Sequence, residues 1–166
     1  MIDAEEVTVV PASRQDFTAL SNLLELYSHD LSDVFSLEPG PDARFGYAKL
    51  PLYASEPDKR FPFLIRHGAR LAGFAFVTRG SSASEDPDVF DVAEFFVLRR
   101  HRRAGVGRRA VFAVWKQLQG RWTVRVANGN RDGLEFWSRV VCEYTHGSFE
   151  ERTVAGSPHD CRVFSF

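Results

Sequence analysis

One stretch, VFDVAEFFVLRRHRRAGVGRRAVFA from Val89 to Ala113, constrains the fold more than any other part of the chain. Val89 to Leu98 is an almost unbroken run of apolar, aromatic and β-branched residues, the pattern of a strand buried on both faces. Asp91 and Glu94 are its polar interruptions. Arg102-Arg103-Ala104-Gly105-Val106-Gly107 then closes a tight turn, and Val111, Phe112, Val114, Trp115 and Leu118 recur at helical spacing.

A glycine turn that feeds a helix N-terminus is a ready anion site. The first-turn N–H groups have no intrahelical acceptor, and the helix dipole adds partial positive charge. Gly105 and Gly107 lack the Cβ that would hold a phosphate off the backbone. Six arginines from Arg99 to Arg109 add forked, fully charged donors suited to phosphate oxygens. The turn asks for a phosphate-bearing ligand, with a solvated basic turn as the plain alternative.

A Walker loop is excluded because Arg108-Arg109 stands where Lys-Ser/Thr is needed, and a dinucleotide fingerprint needs a third glycine. The pattern Arg102-x-x-Gly105-x-Gly107 resembles the acyl-CoA pyrophosphate loop of the GNAT superfamily of N-acetyltransferases. A second match lies downstream. Arg121 to Ala127 reads as a strand, and Asn130-Arg131-Asp132-Gly133-Leu134-Glu135-Phe136-Trp137 occupies the place of the family's Asn-x-x-Ala-x-x-Phe-Tyr. Gly133 stands for the small residue and Trp137 replaces the tyrosine. The run EFFVLRRHRRAGVG, with FW in the second motif, is most similar to a bacterial group of acetyltransferases in that superfamily.

The other elements follow in order. Val7 to Val10 is a short strand ended by Pro11. Ser13, with Asp16 three residues on, starts a helix that carries Phe17, Leu20, Leu23, Leu24 and Tyr27 on one face. Leu31 to Pro57 is irregular, with short helices expected around Leu31 to Leu37 and Tyr47 to Tyr53. It either lines a site or covers the sheet. Phe61 to His67 and Leu71 to Thr78 form a hairpin about Gly68-Ala69-Arg70. After the second motif helix, Glu143 to Phe149 and Cys161 to Phe166 are expected as the last strands, with a turn at Val154 to Pro158. Val141 takes the place of a glycine that often precedes such a strand.

The chain of 166 residues is long enough to bury roughly 70% of its unfolded surface in one domain spanning residues 1–166. The order of elements suits an α/β (α+β) fold with one mixed, largely antiparallel sheet. The resemblance adds helices flanking that sheet and splayed central strands with acyl-CoA in the gap. A net charge of −1 argues against nucleic acid as a partner. No run approaches the ~20 apolar residues of a membrane span, and the opening MIDAEEVTVV is acidic before it is apolar, the reverse of a signal peptide. Cys142 and Cys161 fit no metal or redox spacing, so reduced thiols and a cytoplasmic location are expected. The five histidines, His29, His67, His101, His146 and His159, show no metal spacing and read as surface or turn residues.

The resemblance implies acetyl-CoA as co-substrate, an amine acceptor and no metal. It assigns the pyrophosphate to Arg102, Arg103, Ala104, Gly105, Val106, Gly107 and Arg108, and the backbone contact that polarises the thioester carbonyl to Phe96, Val97 and Leu98. Asn130, Phe136 and Trp137 would meet the CoA arm, although Asn130 could equally cap its helix and Trp137 could be a core aromatic. The attacking amine, with a pKa of about 10, must lose a proton. Glu94 is the first candidate base, because an ionisable group in so apolar a strand is costly to bury. Asp91 is the second, on the opposite face by alternation. Each could instead bridge to a local arginine. An indole cannot protonate the departing sulfur, so Tyr144 is a substitute acid, although a thiol of pKa ~8.5 leaves passably as thiolate. The leading reading is an N-acetyltransferase acting by direct attack in a ternary complex, in a family where dimers are frequent. A catalytically silent acyl-CoA-binding module and a nucleic-acid binder using Arg99 to Arg109 are the alternatives.

Overall fold

A computed structural model describes residues 6–156 and 158–166. The acidic opening at residues 1–5 and Ser157 of the expected 154–158 turn lie outside the described residues. The strands are β1 (Val7–Pro11), β2 (Arg60–His67), β3 (Arg70–Arg79), β4 (Phe90–Val97), β5 (Trp122–Ala127), β6 (Glu150–Val154) and β7 (Cys161–Ser165). The helices are α1 (Phe17–Asp30), α2 (Ser32–Phe35), α3 (Leu52–Ser55), α4 (Val106–Gln117) and α5 (Arg131–Thr145). The strands form one mixed, mostly antiparallel sheet in the order β1-β2-β3-β4-β5-β7-β6. The chain divides into two compact units, residues 1–77 with 94–119 and residues 78–93 with 120–166.

In the first unit β1 lies antiparallel to β2, with Val7 opposite His67 and Pro11 opposite Phe63. Ser13 opens the first helical turn. Its amide and hydroxyl both donate to Asp16 Oδ2, at 2.8 and 2.9 Å, which satisfies groups that a helix start leaves over. The apolar stripe of α1 places Leu20, Leu23 and Leu24 in a core with Tyr53, Leu64, Phe74, Phe76 and Phe96. Gly73 is what lets β3 approach β4 so closely: a Cβ there would lie 2.0 Å from the Phe96 carbonyl oxygen. The segment after α1 is organised by Glu25, whose carboxylate accepts the amides of Phe45 and Gly46 at 2.7 and 3.0 Å. Those bonds carry the chain into Tyr47 and α3.

The second unit holds the start of β4, where Phe90, Asp91 and Val92 pair in parallel with Trp122, Thr123 and Val124. β5 continues antiparallel to β7 as far as Ala127 opposite Cys161. Trp137, Val140 and Val141 are the buried face of α5. One expectation is corrected here. Residues 143–145 are helical, and the strand expected from Glu143 begins only at Glu150. Trp137, Val140, Val141 and Tyr144 keep a helical period. Val141 is therefore a fully buried helix residue, not the approach to a strand. The stop is His146 in the left-handed region (φ 53°), followed by Gly147 donating to Cys142 O, a glycine-assisted helix end. Among the described residues no helix is long and apolar enough to cross a membrane, and both cysteines are free thiols.

Candidate functional site

The turn before α4 is built from backbone conformations that side chains avoid. Arg103 has φ 65° and Gly105 has φ 71°. A left-handed residue that is not glycine costs roughly 1–2 kcal/mol, so the surroundings must hold Arg103 in place. The ladder of α4 opens with Arg109 N–H donating to Gly105 O at 3.1 Å. By helix geometry the amides of Val106 and Gly107 then have no intrahelical acceptor. Residues 102–105 are exposed while Val106 is buried, so the turn is anchored at one point and open to a ligand elsewhere.

The arginines divide by task. Arg102 Nε donates to Val97 O at 2.7 Å, a terminal nitrogen reaches Asp30 Oδ2 at 2.5 Å, and the guanidinium lies 5.5 Å from the Phe96 ring centroid. Its amide donates to Arg99 O. Arg102 therefore braces the turn from beneath. Arg99 donates to the other Asp30 oxygen at 2.9 Å, and Arg109 folds back onto Ala104 O at 3.0 Å. Arg108 lies 4.8 Å over the Phe112 ring. Burial raises the Asp30 pKa, but hydrogen bonds and charge from Arg102 and Arg99 outweigh it and leave the carboxyl below its ordinary value.

At the end of β4 the Leu98 amide is spent on Ala72 O at 2.8 Å. It is not the unspent donor that carbonyl polarisation needs. Phe96 is a core residue, and the Val97 carbonyl is the one that takes Arg102.

Glu94 is the centre of a cluster that sequence reasoning did not assemble. Tyr27 Oη donates to its Oε2 at 2.6 Å, and Tyr47 Oη donates to its Oε1 at 2.9 Å. Tyr53 lies beside them, its ring 4.1 Å from that of Phe76, with Arg60 5.4 Å above it. The Tyr53 hydroxyl is buried beside Tyr47 and the Arg60 guanidinium. Tyr27 packs edge-on against Phe74 at 5.6 Å and lies 5.8 Å from Phe96. Burial, then the Glu94 charge, pushes the Tyr27 pKa well above its ordinary value and raises that of Tyr47; the same causes take Tyr53 to about 12. These phenols stay protonated at neutral pH. They can donate to Glu94 but cannot serve as bases.

In the second unit Asp91 is 1% exposed, and its Oδ2 takes both Nε and a terminal nitrogen of Arg125, at 2.8 and 2.7 Å. This is the bridge to a local arginine. Asp91 Oδ1 is buried with no hydrogen-bond partner among the described residues. Asn130 caps α5, its Oδ1 accepting the Gly133 amide at 2.9 Å. A Cβ at position 133 would fall 2.5 Å from the Asn130 side chain, which is why the smallest residue stands there. Trp137 is buried at 8% exposure and meets Phe136 in a T-shaped contact at 5.0 Å. Tyr144 is half-buried against Phe166 at 6.2 Å.

Two of the histidines meet each other. His101, 8% exposed in the 3-10 turn ahead of Arg102, has its Nδ1 3.1 Å from Nδ1 of His67. One of the two nitrogens must carry the proton of that hydrogen bond. Burial, then the His67 charge, lowers the His101 pKa. Among the described residues no group of three or more His, Cys, Asp or Glu side chains is placed to hold a metal.

The family model described as the acetyltransferase (GNAT) family matches residues 20–140. Solved structures share the fold. An acetyltransferase from Thermus thermophilus is 17% identical with a TM-score of 0.66, covering 100% of this chain and 99% of its own. Aminoglycoside acetyltransferase AAC(6')-Ib in complex with coenzyme A is 16% identical with a TM-score of 0.68, covering 97% and 94%. The ribosomal-protein-S18-alanine N-acetyltransferase of Escherichia coli is 13% identical with a TM-score of 0.64, covering 97% and 93%. At these identities the likeness is one of fold. No curated protein matches the chain at a significant level.

Proposed function

Because the chain belongs to the acetyltransferase (GNAT) family, we propose that it transfers an acetyl group from acetyl-CoA to a primary amine by direct attack in a ternary complex. The observation that carries this reading is the turn of residues 102–108, with two left-handed residues and a helix start, on a chain whose family model spans it. A structural relative solved with coenzyme A and kanamycin supports coenzyme A as the co-substrate.

In this proposal the backbone amides around Gly105 and Gly107, with Arg103 and Arg108, hold the pyrophosphate. Ala104 and Val106 shape the turn, and Arg102 positions it through Asp30 and Val97. The Val97 backbone is assigned to the thioester carbonyl, since the Leu98 amide is already engaged. Asn130, Phe136 and Trp137 are assigned to the CoA arm. Glu94 takes the proton of the attacking amine as the new C–N bond forms. Asp91 is fixed by Arg125 and is not proposed as base. The sulfur leaves as thiolate, with Tyr144 as the donor to test. The whole of residues 1–166 is proposed as the catalytic domain, acting on an amine acceptor, with neither nucleic acid nor membrane as partner.

The buried Trp137 in the tyrosine position favours one second reading, an acyl-CoA-binding module without turnover. Thiol release with any amine would remove it. The primary test is a thermal melt with acetyl-CoA at low and moderate salt. Ligand at about 100 times its Kd adds ~2.7 kcal/mol, or roughly 5–10 °C for a chain of this size. A folded transition that acetyl-CoA leaves unmoved would sink the proposal.

A further inference from the structure

His101 ends the 3-10 turn of Arg99 to His101 and stands one residue ahead of Arg102, where the glycine turn begins. His67 ends β2. Their Nδ1 atoms lie 3.1 Å apart, with the ring planes at 74° to each other. We infer that this pair is a proton-sensitive brace of the glycine turn. While a single proton lies between the two Nδ1 atoms, the brace holds the turn in shape for the pyrophosphate; when each Nδ1 carries its own, the brace releases it. The identity of the ligand rests on the acetyltransferase reading, and the brace itself rests on geometry.

Three observations carry it. The backbone between the pair and the turn has no slack. The His101 amide donates to Leu98 O at 2.8 Å, the Arg102 amide to Arg99 O at 3.1 Å and the Leu98 amide to Ala72 O at 2.8 Å. A displaced His101 ring therefore moves Arg102. Second, the contact tolerates only some protonation states. It needs a proton on one Nδ1 and a lone pair on the other. A neutral pair meets that need, and so does a pair with one extra proton on an outer nitrogen. With both rings charged, two N–H groups face each other and the bond is lost. Third, the surroundings oppose charge. His101 is 8% exposed. Burial acts against its cation, and so do His67 of β2, Arg100 beside it and Arg70 of β3, with no carboxylate among these groups. From the start of β1, Glu6 reaches this corner through its carbonyl, which accepts the Gly68 amide at 2.7 Å. His67 is half-buried, which gives protons a way in.

Two opposing effects decide the sign. A cation beneath an anion site would by charge alone strengthen binding in acid. The His101 ring, however, is directed at β2, and six arginines from Arg99 to Arg109 already charge this stretch. One further charge adds little beside the loss of the brace, so affinity falls as pH drops. Asp30, the other support of Arg102, titrates below its ordinary value of 3.8 and stays charged throughout the histidine range.

Coenzyme A carries a phosphate monoester that itself titrates at about pH 6, so the probe is dephospho-CoA, whose pyrophosphate keeps its charge. Calorimetric titration into the full chain at fixed ionic strength, from about pH 7.5 to about 5.5, should show the wild-type Kd rising by about 3- to 10-fold. Far-UV spectra at each pH check that the chain stays folded. H101N places a carboxamide where Nδ1 stood and removes the second proton, so its Kd should stay nearly level over the range. H67N should behave the same way, and it decides the matter if H101N does not fold. A merely structural role would weaken binding equally at both ends of the range. Parallel curves in wild type and variant overturn the brace, as does a wild-type affinity that stays level or rises in acid. Either result leaves the acetyltransferase reading standing, because dephospho-CoA still binds near neutral pH. No binding of dephospho-CoA or acetyl-CoA near neutral pH overturns both.

Discussion

Asp30, the last residue of α1, grips Arg102 at 2.5 Å through one carboxylate oxygen and Arg99 at 2.9 Å through the other. A helix end 72 residues away in sequence thus fixes the first residue of the glycine turn. Arg102 serves as a structural brace, although its spacing from the glycines marks it as a ligand contact.

Asp30→Asn should loosen the turn. Arg102 is 40% exposed, so solvent screening limits the stability loss to ~0.5–1 kcal/mol. The Kd for acetyl-CoA should rise by about 3- to 10-fold, read by calorimetry. The folded pKa of Asp30 is depressed, so its contribution is present above the unfolded value of 3.8 and lost as pH falls through the folded value. Acid melts below about pH 4 should therefore be flatter in the variant.

A carboxylate at Gly107, the second residue of α4, would face the proposed pyrophosphate. Gly107→Glu should raise the acetyl-CoA Kd by roughly 100-fold or more while the far-UV spectrum stays unchanged. Affinity equal to wild type would show that the ligand lies elsewhere. Gly105→Ala addresses shape instead of charge: φ is 71°, and the strain should cost ~1–2 kcal/mol in a denaturant titration.

Glu94→Gln keeps the size of the side chain and removes the basic oxygens. Turnover should fall by roughly 10²- to 10⁴-fold, with acetyl-CoA affinity unchanged. The deficit should be greatest below neutral pH, where more of the amine is protonated. A pH–rate profile identical to wild type would remove Glu94 as the base.

His101 titrates below its ordinary value of 6.5, so between the two values the unfolded chain binds the proton more readily than the folded one. Stability must then decline as pH falls below about 6.5, which is the reverse of a histidine held by a carboxylate. Thermal midpoints from pH 7.5 to 5.5 should decrease in wild type and change less in His101→Asn. Parallel curves would show that the His67–His101 contact carries no proton linkage.

Gly73→Ala tests the approach of β3 to β4. A Cβ would lie 2.0 Å from a backbone oxygen that has no rotamer to move it away. The expected loss is ~2–3 kcal/mol, measured by chemical denaturation.

The path from strand to glycine turn to helix was legible because each element writes its own period: the apolar run of β4, broken only at Asp91 and Glu94, the paired glycines, and the 3.6-residue spacing of α4. The Ser13–Asp16 box and the Asn130 cap were legible for the same reason, since their partners lie three residues away. The end of α5 was not. His146-Gly147 is the true stop signal, and the valine at 141 is a buried helix residue that breaks nothing. The tyrosines around Glu94 left no local trace, because Tyr27 and Tyr47 meet it across 67 and 47 positions. Tyr27 belongs to an apolar helix face, and nothing in that spacing distinguishes a hydroxyl that packs from one that donates. The His67–His101 contact spans 34 positions and was hidden in the same way.

The clamp that Glu25 places on the amides of Phe45 and Gly46 divides the segment after α1 into parts of unequal tolerance. Upstream of the clamp, residues 37–43 can vary in length and composition while Tyr47 still arrives at the same place. Downstream, each residue is tied to the position of a phenol. A library that randomises 37–43 should therefore leave Tyr47 on Glu94, whereas one that spans 45–53 should lose that contact in most of its members.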